Sequence, residues 1–135
     1  MVQNAEISPA GAGAVTIERT SHVVETDGSV YDTYTLTATA NQGYKFSRYE
    51  VRLENSYSDG STRLDDGTWE INPLDLVEQT QAPDAGGYYH NIRIVRIVAY
   101  FIQDTKSYDG VLRNDYGVIL RNASGVVLIG AEYRP

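Results

Sequence analysis

Between Val30 and Ala40 the chain alternates. Val30, Tyr34, Leu36, Ala38 and Ala40 stand on one parity, and Tyr31, Thr33, Thr35, Thr37 and Thr39 on the other. An extended backbone turns successive side chains to opposite faces, so this segment predicts a half-buried strand with an apolar face and a threonine face. The alternation stops at the turn signal Asn41-Gln42-Gly43, and apolar residues resume at Tyr44 and Phe46. The apolar parity then changes from even (Tyr44, Phe46) to odd (Tyr49, Val51, Leu53), which requires one extra residue near Ser47-Arg48. Upstream, Val15, Ile17 and His22-Val23-Val24 predict an earlier strand with an irregularity near Thr20-Ser21. Asp27-Gly28 predicts a two-residue hairpin turn between the two strands.

Residues 1–13, small and polar from Asn4 to Gly13, read as an irregular lead-in; the glycines at 11 and 13 lack the Gly-Lys-Ser/Thr that a phosphate loop needs. After polar turns at Ser58–Ser61 and Asp65–Gly67, Thr68 to Ile71 reads as a brief strand. Asn72-Pro73 then reads as the cap and first position of a short helix whose apolar face is Leu74, Leu76 and Val77, ending near Gln79–Gln81. Asn91 to Ile102 is the strongest strand signal, and from Ile97 onward apolar residues fill both parities, as in a strand covered on both faces. Leu36, Phe46, Val51, Trp69 and Ile97 are expected to share one core.

The tail repeats itself: Leu112, Leu120 and Leu128 fall at equal spacing, Gly117 and Gly125 keep it, and Arg113-Asn114 recurs as Arg121-Asn122. Four-residue strands with Asn, Ser and Gly corners predict a small meander over residues 105–135. Strands this short bury too little area to stand alone. Val111, Leu112, Val118, Leu120, Val126 and Leu128 are therefore the candidate assembly residues, meeting either the open face of the Ile97–Ile102 strand or the tail of another subunit. A homotrimer is the first expectation. The predicted architecture is mainly β (α+β): an antiparallel body over residues 14–104 with one short helix, plus the β tail.

Composition narrows the function. A net charge of −7 repels phosphate backbones and anionic headgroups, so neither nucleic acid nor a membrane surface is an expected partner. The apolar run Ile97–Ile102 is far shorter than the ~20 residues of a spanning helix. The chain has no cysteine, which removes disulfides, thiolate metal sites and cysteine nucleophiles. Met1 to Ala14 lacks the basic start and apolar core of a secretory signal.

Candidate chemistry is sparse. His22 and His90 have no zinc-ligand spacing, the Asp59, Asp65-Asp66 and Asp104–Asp109 clusters lack the spacing of a calcium loop, and Glu50, Glu54 and Glu70 read as solvent-side strand residues. No catalytic residue, metal or cofactor is expected. The chain holds eleven tyrosines against two phenylalanines, rings that bury a body and keep a polar tip for a partner. Tyr88-Tyr89-His90, following Gly86-Gly87, is the candidate contact patch, with Trp69 as a further platform for a protein or a surface glycan.

Tyr34-Thr35-Leu36-Thr37-Ala38-Thr39, Gly43-Tyr44-Lys45-Phe46 with Tyr49 three residues on, and Ile97-Val98-Ala99-Tyr100-Phe101 together resemble the internalin-type B repeat of bacterial surface proteins, over roughly residues 14–102. The resemblance implies a β-grasp-like fold, strands wrapped on a short helix, and a role as a spacer or adhesive unit. The expected function is a non-enzymatic structural or interaction module of an assembled surface. A phage virion component, head decoration or fibre, comes first; a fragment of a secreted bacterial adhesin or cell-surface repeat protein, or a carbohydrate-binding module, is the alternative.

Overall fold

The computed structural model describes residues 1–104; the tail meander and all six candidate assembly residues lie outside the described residues. Seven strands form the body: β1 (Glu6–Ser8), β2 (Gly13–Val24), β3 (Val30–Ala40), β4 (Tyr44–Tyr57), β5 (Thr62–Trp69), β6 (Leu74–Thr80) and β7 (His90–Gln103). Their order is β2-β3-β6-β7-β4-β5, antiparallel throughout, and β1 adds to β7 in parallel. A single pair, Gln79 with Ile92, joins β6 to β7. The sheet thus has two wings, β2-β3-β6 and β7-β4-β5, whose apolar residues meet in one core.

The threonine strand behaves as its alternation demands. Leu36 pairs with Ile17 on one side and Leu74 on the other, and it is fully buried, while Thr35 and Thr37 stay partly exposed on the opposite face. The second wing contributes Tyr49, Val51, Ile94, Ile97, Ala99 and Phe101 to the same cluster. Of the five expected core residues, Leu36, Val51 and Ile97 are buried, and Phe46 and Trp69 pack against them half-buried. The register shifts foreseen at Thr20 and Ser47 both occur, between Arg19 and Ser21 and between Phe46 and Arg48. A further shift opposite Arg52-Leu53 leaves Val95 unpaired on β7.

The expected helix does not form. Residues Leu74–Thr80 are strand β6, no helix occurs among the described residues, and the body is therefore not β-grasp-like. Leu74, Leu76 and Glu78 point into the core while Asp75 and Val77 point out, a period of two. The deciding force is non-local: β3 is paired with β2 on one edge, and the N–H and C=O groups of its other edge need partners, which β6 supplies from Val30 to Leu36. Asn72 is not a helix cap. Its side-chain amide continues the ladder past Pro73, accepting from the Ala38 N–H at 2.9 Å and donating to the Ala38 carbonyl at 2.8 Å.

The lead-in is also more ordered than expected. Val2 N–H donates to the Ile94 carbonyl at 2.9 Å, β1 follows along β7, and Met1, Val2, Ala5 and Ile7 pack against the core. The Met1 amino group lies 2.7 Å from the Glu78 carboxylate, which also accepts the Ile94 N–H at 2.8 Å. Gly13 matters for its missing side chain, because a Cβ there would sit 2.5 Å from the Thr39 carbonyl oxygen and 2.6 Å from the Phe101 ring. Gly13→Ala is expected to destabilise the fold by about 1–3 kcal/mol through this overpacking, read as a lowered midpoint in urea with an unchanged slope.

The strand Ile97–Ile102 is covered on one face by the core. On the other, Val98 is buried but Ile102 is 47% exposed, and the neighbours are charged. Arg96 binds Glu6, the Tyr100 hydroxyl donates to Glu50, and the Arg48 guanidinium lies 4.1 Å from the Tyr100 ring centroid.

Candidate contact site at the three-turn end

Three connections gather at one end of the sheet and share one geometry. In Glu25–Ser29, Tyr57–Ser61 and Asp84–Tyr88, the first residue's N–H donates to the fifth residue's carbonyl (2.7, 2.9 and 3.0 Å), and the fourth residue's N–H donates to the first residue's carbonyl (3.0, 3.0 and 2.9 Å). The fourth residue is Gly28, Gly60 or Gly87, each with φ between 80° and 91°, the left-handed region in which glycine carries no Cβ penalty. These are three-residue hairpin loops with a glycine bulge, so the first is one residue longer than Asp27-Gly28 alone implies.

Each turn is tied down by an aspartate. Asp27 accepts the Ser29 N–H and Asp59 the Ser61 N–H, both at 2.8 Å, and Asp84 accepts the N–H groups of Gly86 at 2.8 Å and Tyr88 at 3.0 Å. The backbone of Ser29 holds the Asp27 carboxyl below the usual range, and the Ser61 hydroxyl does the same for Asp59. Two further bonds lock the turns together: Ala82 N–H to Ser29 Oγ at 2.9 Å, and Ser58 N–H to the Tyr89 carbonyl at 3.1 Å.

Beside the turns, the Tyr57 and His90 rings stack with centroids 4.5 Å apart and planes 4° from parallel. His90 Nε2 is 2.8 Å from Asn55 Oδ1, Asn55 Nδ2 donates to Asp65 at 2.8 Å, and Arg63 donates to the same carboxylate at 3.0 Å. Because the Asn55 amide nitrogen is committed to Asp65, its oxygen is left to accept from His90. Asn55 and Tyr57 continue the parity of Tyr49, Val51 and Leu53, so the core face of β4 turns polar and aromatic toward this end.

The structure brings Tyr88, Tyr89 and His90 together with Tyr57, Asn55 and Arg63. Tyr88 is the most exposed, at 71%, with ring atoms 3.3 and 3.5 Å from where a Cβ on Gly86 would lie. Trp69 does not join them. It pairs with Tyr49, whereas His90 pairs with Tyr57 eight positions further along β4, roughly 26 Å away at 3.3 Å per residue. The Trp69 ring lies over Gly67 and shields the core margin. Tyr57 and Asn55 were the residues missed. The available signal was the tripeptide Asp-Gly-Ser, which occurs at 27–29 and again at 59–61 and marks two like turns.

A separate hollow of about 230 Å³ lies on the solvent face of β4, β5 and β7, lined by Glu50, Arg52, Asp66, Thr68, Arg96 and Val98. Its guanidiniums are engaged: Arg52 holds Asp66 through bonds of 2.8 and 3.2 Å, and Arg96 holds Glu6 of β1 through bonds of 2.6 and 3.3 Å. These guanidiniums keep the Asp66 and Glu6 carboxyls below the usual range. Among the described residues no group of three His, Asp or Glu is arranged to hold a metal ion. In comparisons with known proteins, no family model, no curated protein and no solved structure matches this chain.

Proposed function

We propose that this chain is a non-enzymatic structural and interaction module of an assembled surface, a phage virion component such as a head decoration or fibre protein, mounted through its tail. The same geometry in a secreted bacterial adhesin is the second reading, which the B-repeat-like motifs favour even though the helix they implied is absent among the described residues. The observation that carries the proposal is the polarity of the body. The chain leaves β7 at Asp104, whose N–H donates to the Gly43 carbonyl at 2.9 Å, and the three turns lie at the opposite end of β4, about 40 Å away. A module anchored beyond Asp104 therefore presents Tyr88 outward.

Among the described residues the exposed apolar side chains of the body, such as Val24, Leu64, Ile71, Val77 and Ile102, stand on different segments rather than on one face that the tail alone would cover. The core face of β7 is closed by the body's own strands, and its other face carries Arg96, Tyr100 and the half-exposed Ile102, with Arg48 and Glu50 of β4 alongside. Val111, Leu112, Val118, Leu120, Val126 and Leu128 then find burial in other copies of the chain. Deleting residues 106–135 is expected to abolish self-association while leaving a body that melts cooperatively. A truncated chain that keeps the full chain's oligomeric state would remove the tail as assembly element, and one that unfolds would show the tail to be part of the body's core.

A further inference from the structure

We propose that the three-turn end is a binding site for a neutral or amino-sugar glycan, with the Tyr88 ring as its stacking platform; this names the ligand class of the presenting end and rests on the reading above. The first observation is preorganisation. Tyr88 is largely exposed, yet its turn is closed by two backbone bonds and two bonds to the Asp84 carboxylate. A ring carried on a backbone already held in place leaves only its own two side-chain torsions to be fixed on binding, and tyrosine offers a large amphipathic face at low entropic cost. Gly86 permits the arrangement, since a Cβ there would stand 3.3 Å from Tyr88 Cδ2.

The second observation is what surrounds the ring. The three turns otherwise contain Glu, Thr, Asp, Gly, Ser, Ala and Tyr57, so one exposed aromatic face sits among small polar groups. A protein interface of ordinary size buries a charge-depleted core of several apolar anchors, whereas the exposed apolar side chains near these turns, Val23, Val24 and Leu64, stand on the flanking strands and not in the acidic loops. A sugar ring needs one apolar face to lie on and polar groups at its edge, which they supply. The Tyr57 ring is not a second platform, because His90 stacks on it and the Arg63 guanidinium lies 6.0 Å from its centroid.

The third observation is charge. The turns carry Glu25, Asp27, Asp59 and Asp84 and no lysine or arginine. The nearest cation in sequence, Arg63, is paired with Asp65 at 2.9 Å. A sialylated or uronic-acid glycan is repelled there, while a neutral or amino sugar is not.

The test is an array of neutral, N-acetylated, amino, sialylated and uronic-acid oligosaccharides probed with the full chain, Tyr88→Ala, Tyr88→Trp and the distant control Thr37→Ala, each checked for an unchanged melt. Retention of neutral or amino glycans is expected, lost by roughly tenfold or more in Tyr88→Ala and kept in Tyr88→Trp and Thr37→Ala, as removal of about 1.4 kcal/mol of stacking requires. No retained glycan, a preference for acidic glycans, or equal binding by Tyr88→Ala would overturn the proposal. An oligomeric chain that binds no glycan sinks this inference alone, and a monomer that binds one sinks only the assembly reading.

Discussion

Replacing Leu36 by alanine is expected to destabilise the body by about 2–5 kcal/mol, with the loss read as a drop in the urea midpoint. Leu36 is completely buried and stands where the wings meet, with Ile17 and Leu74 as its cross-strand partners. The strands on both sides are held by their ladders, so the site cannot collapse to refill the space, and the cost belongs in the upper part of that range. Thr37→Ala, one residue on and on the solvent face, is expected to change stability by no more than about 0.5 kcal/mol. Near-equal effects of the two would mean that the register of β3 is wrong by one residue.

The second large effect concerns Tyr49 and Asn72. Tyr49 is fully buried on β4, and its hydroxyl donates to Asn72 Oδ1 at 2.7 Å, so one side chain bridges the wings and meets the amide that completes the Ala38 ladder. Asn72→Ala leaves the phenol and both Ala38 backbone groups short of partners, at an expected cost of about 2–3 kcal/mol. Alkaline pH should attack the same point. Burial pushes the Tyr49 phenol up to about 12, against 10.0 for a free tyrosine, with a hydrogen bond from the Ala38 backbone pulling weakly the other way. The folded form holds the proton that the unfolded chain has begun to lose. The stabilisation is therefore complete below pH 10 and is lost as pH rises from about 10 through 12, by roughly 2–3 kcal/mol. Equilibrium unfolding from pH 9 to 12 should show this fall in the natural chain and a shallower one in Tyr49→Phe; matching slopes would contradict the assignment.

What was legible in the sequence is local. The alternation of Thr33–Thr39, the irregularity at Thr20-Ser21 and the parity change at Ser47 all come from a period that a strand imposes on its own residues, and each is realised in the register. Leu74-Asp75-Leu76-Val77 is ambiguous in the sequence because so short a run fits a helical face as well as an alternating strand, and Asn-Pro ahead of it favours a helix. The open edge of β3 decides the matter, and β3 lies some forty residues away in the chain. The contact site divides along the same line. Tyr88-Tyr89-His90 stood out beside a glycine pair, whereas Tyr57 and Asn55 join them only through the antiparallel pairing of the end of β4 with the start of β7. Trp69 is the single tryptophan, yet its strand ends beside Tyr49, in the interior of β4 and eight positions from Tyr57.

A self-sufficient body mounted through residues beyond Asp104 into an assembly of identical chains, as proposed, has a mass in solution that counts its copies. The most direct measurement is the molar mass of the full chain by light scattering across a range of concentrations. Three copies of a 14.9 kDa chain is the predicted result; a mass of one copy at every concentration would contradict it.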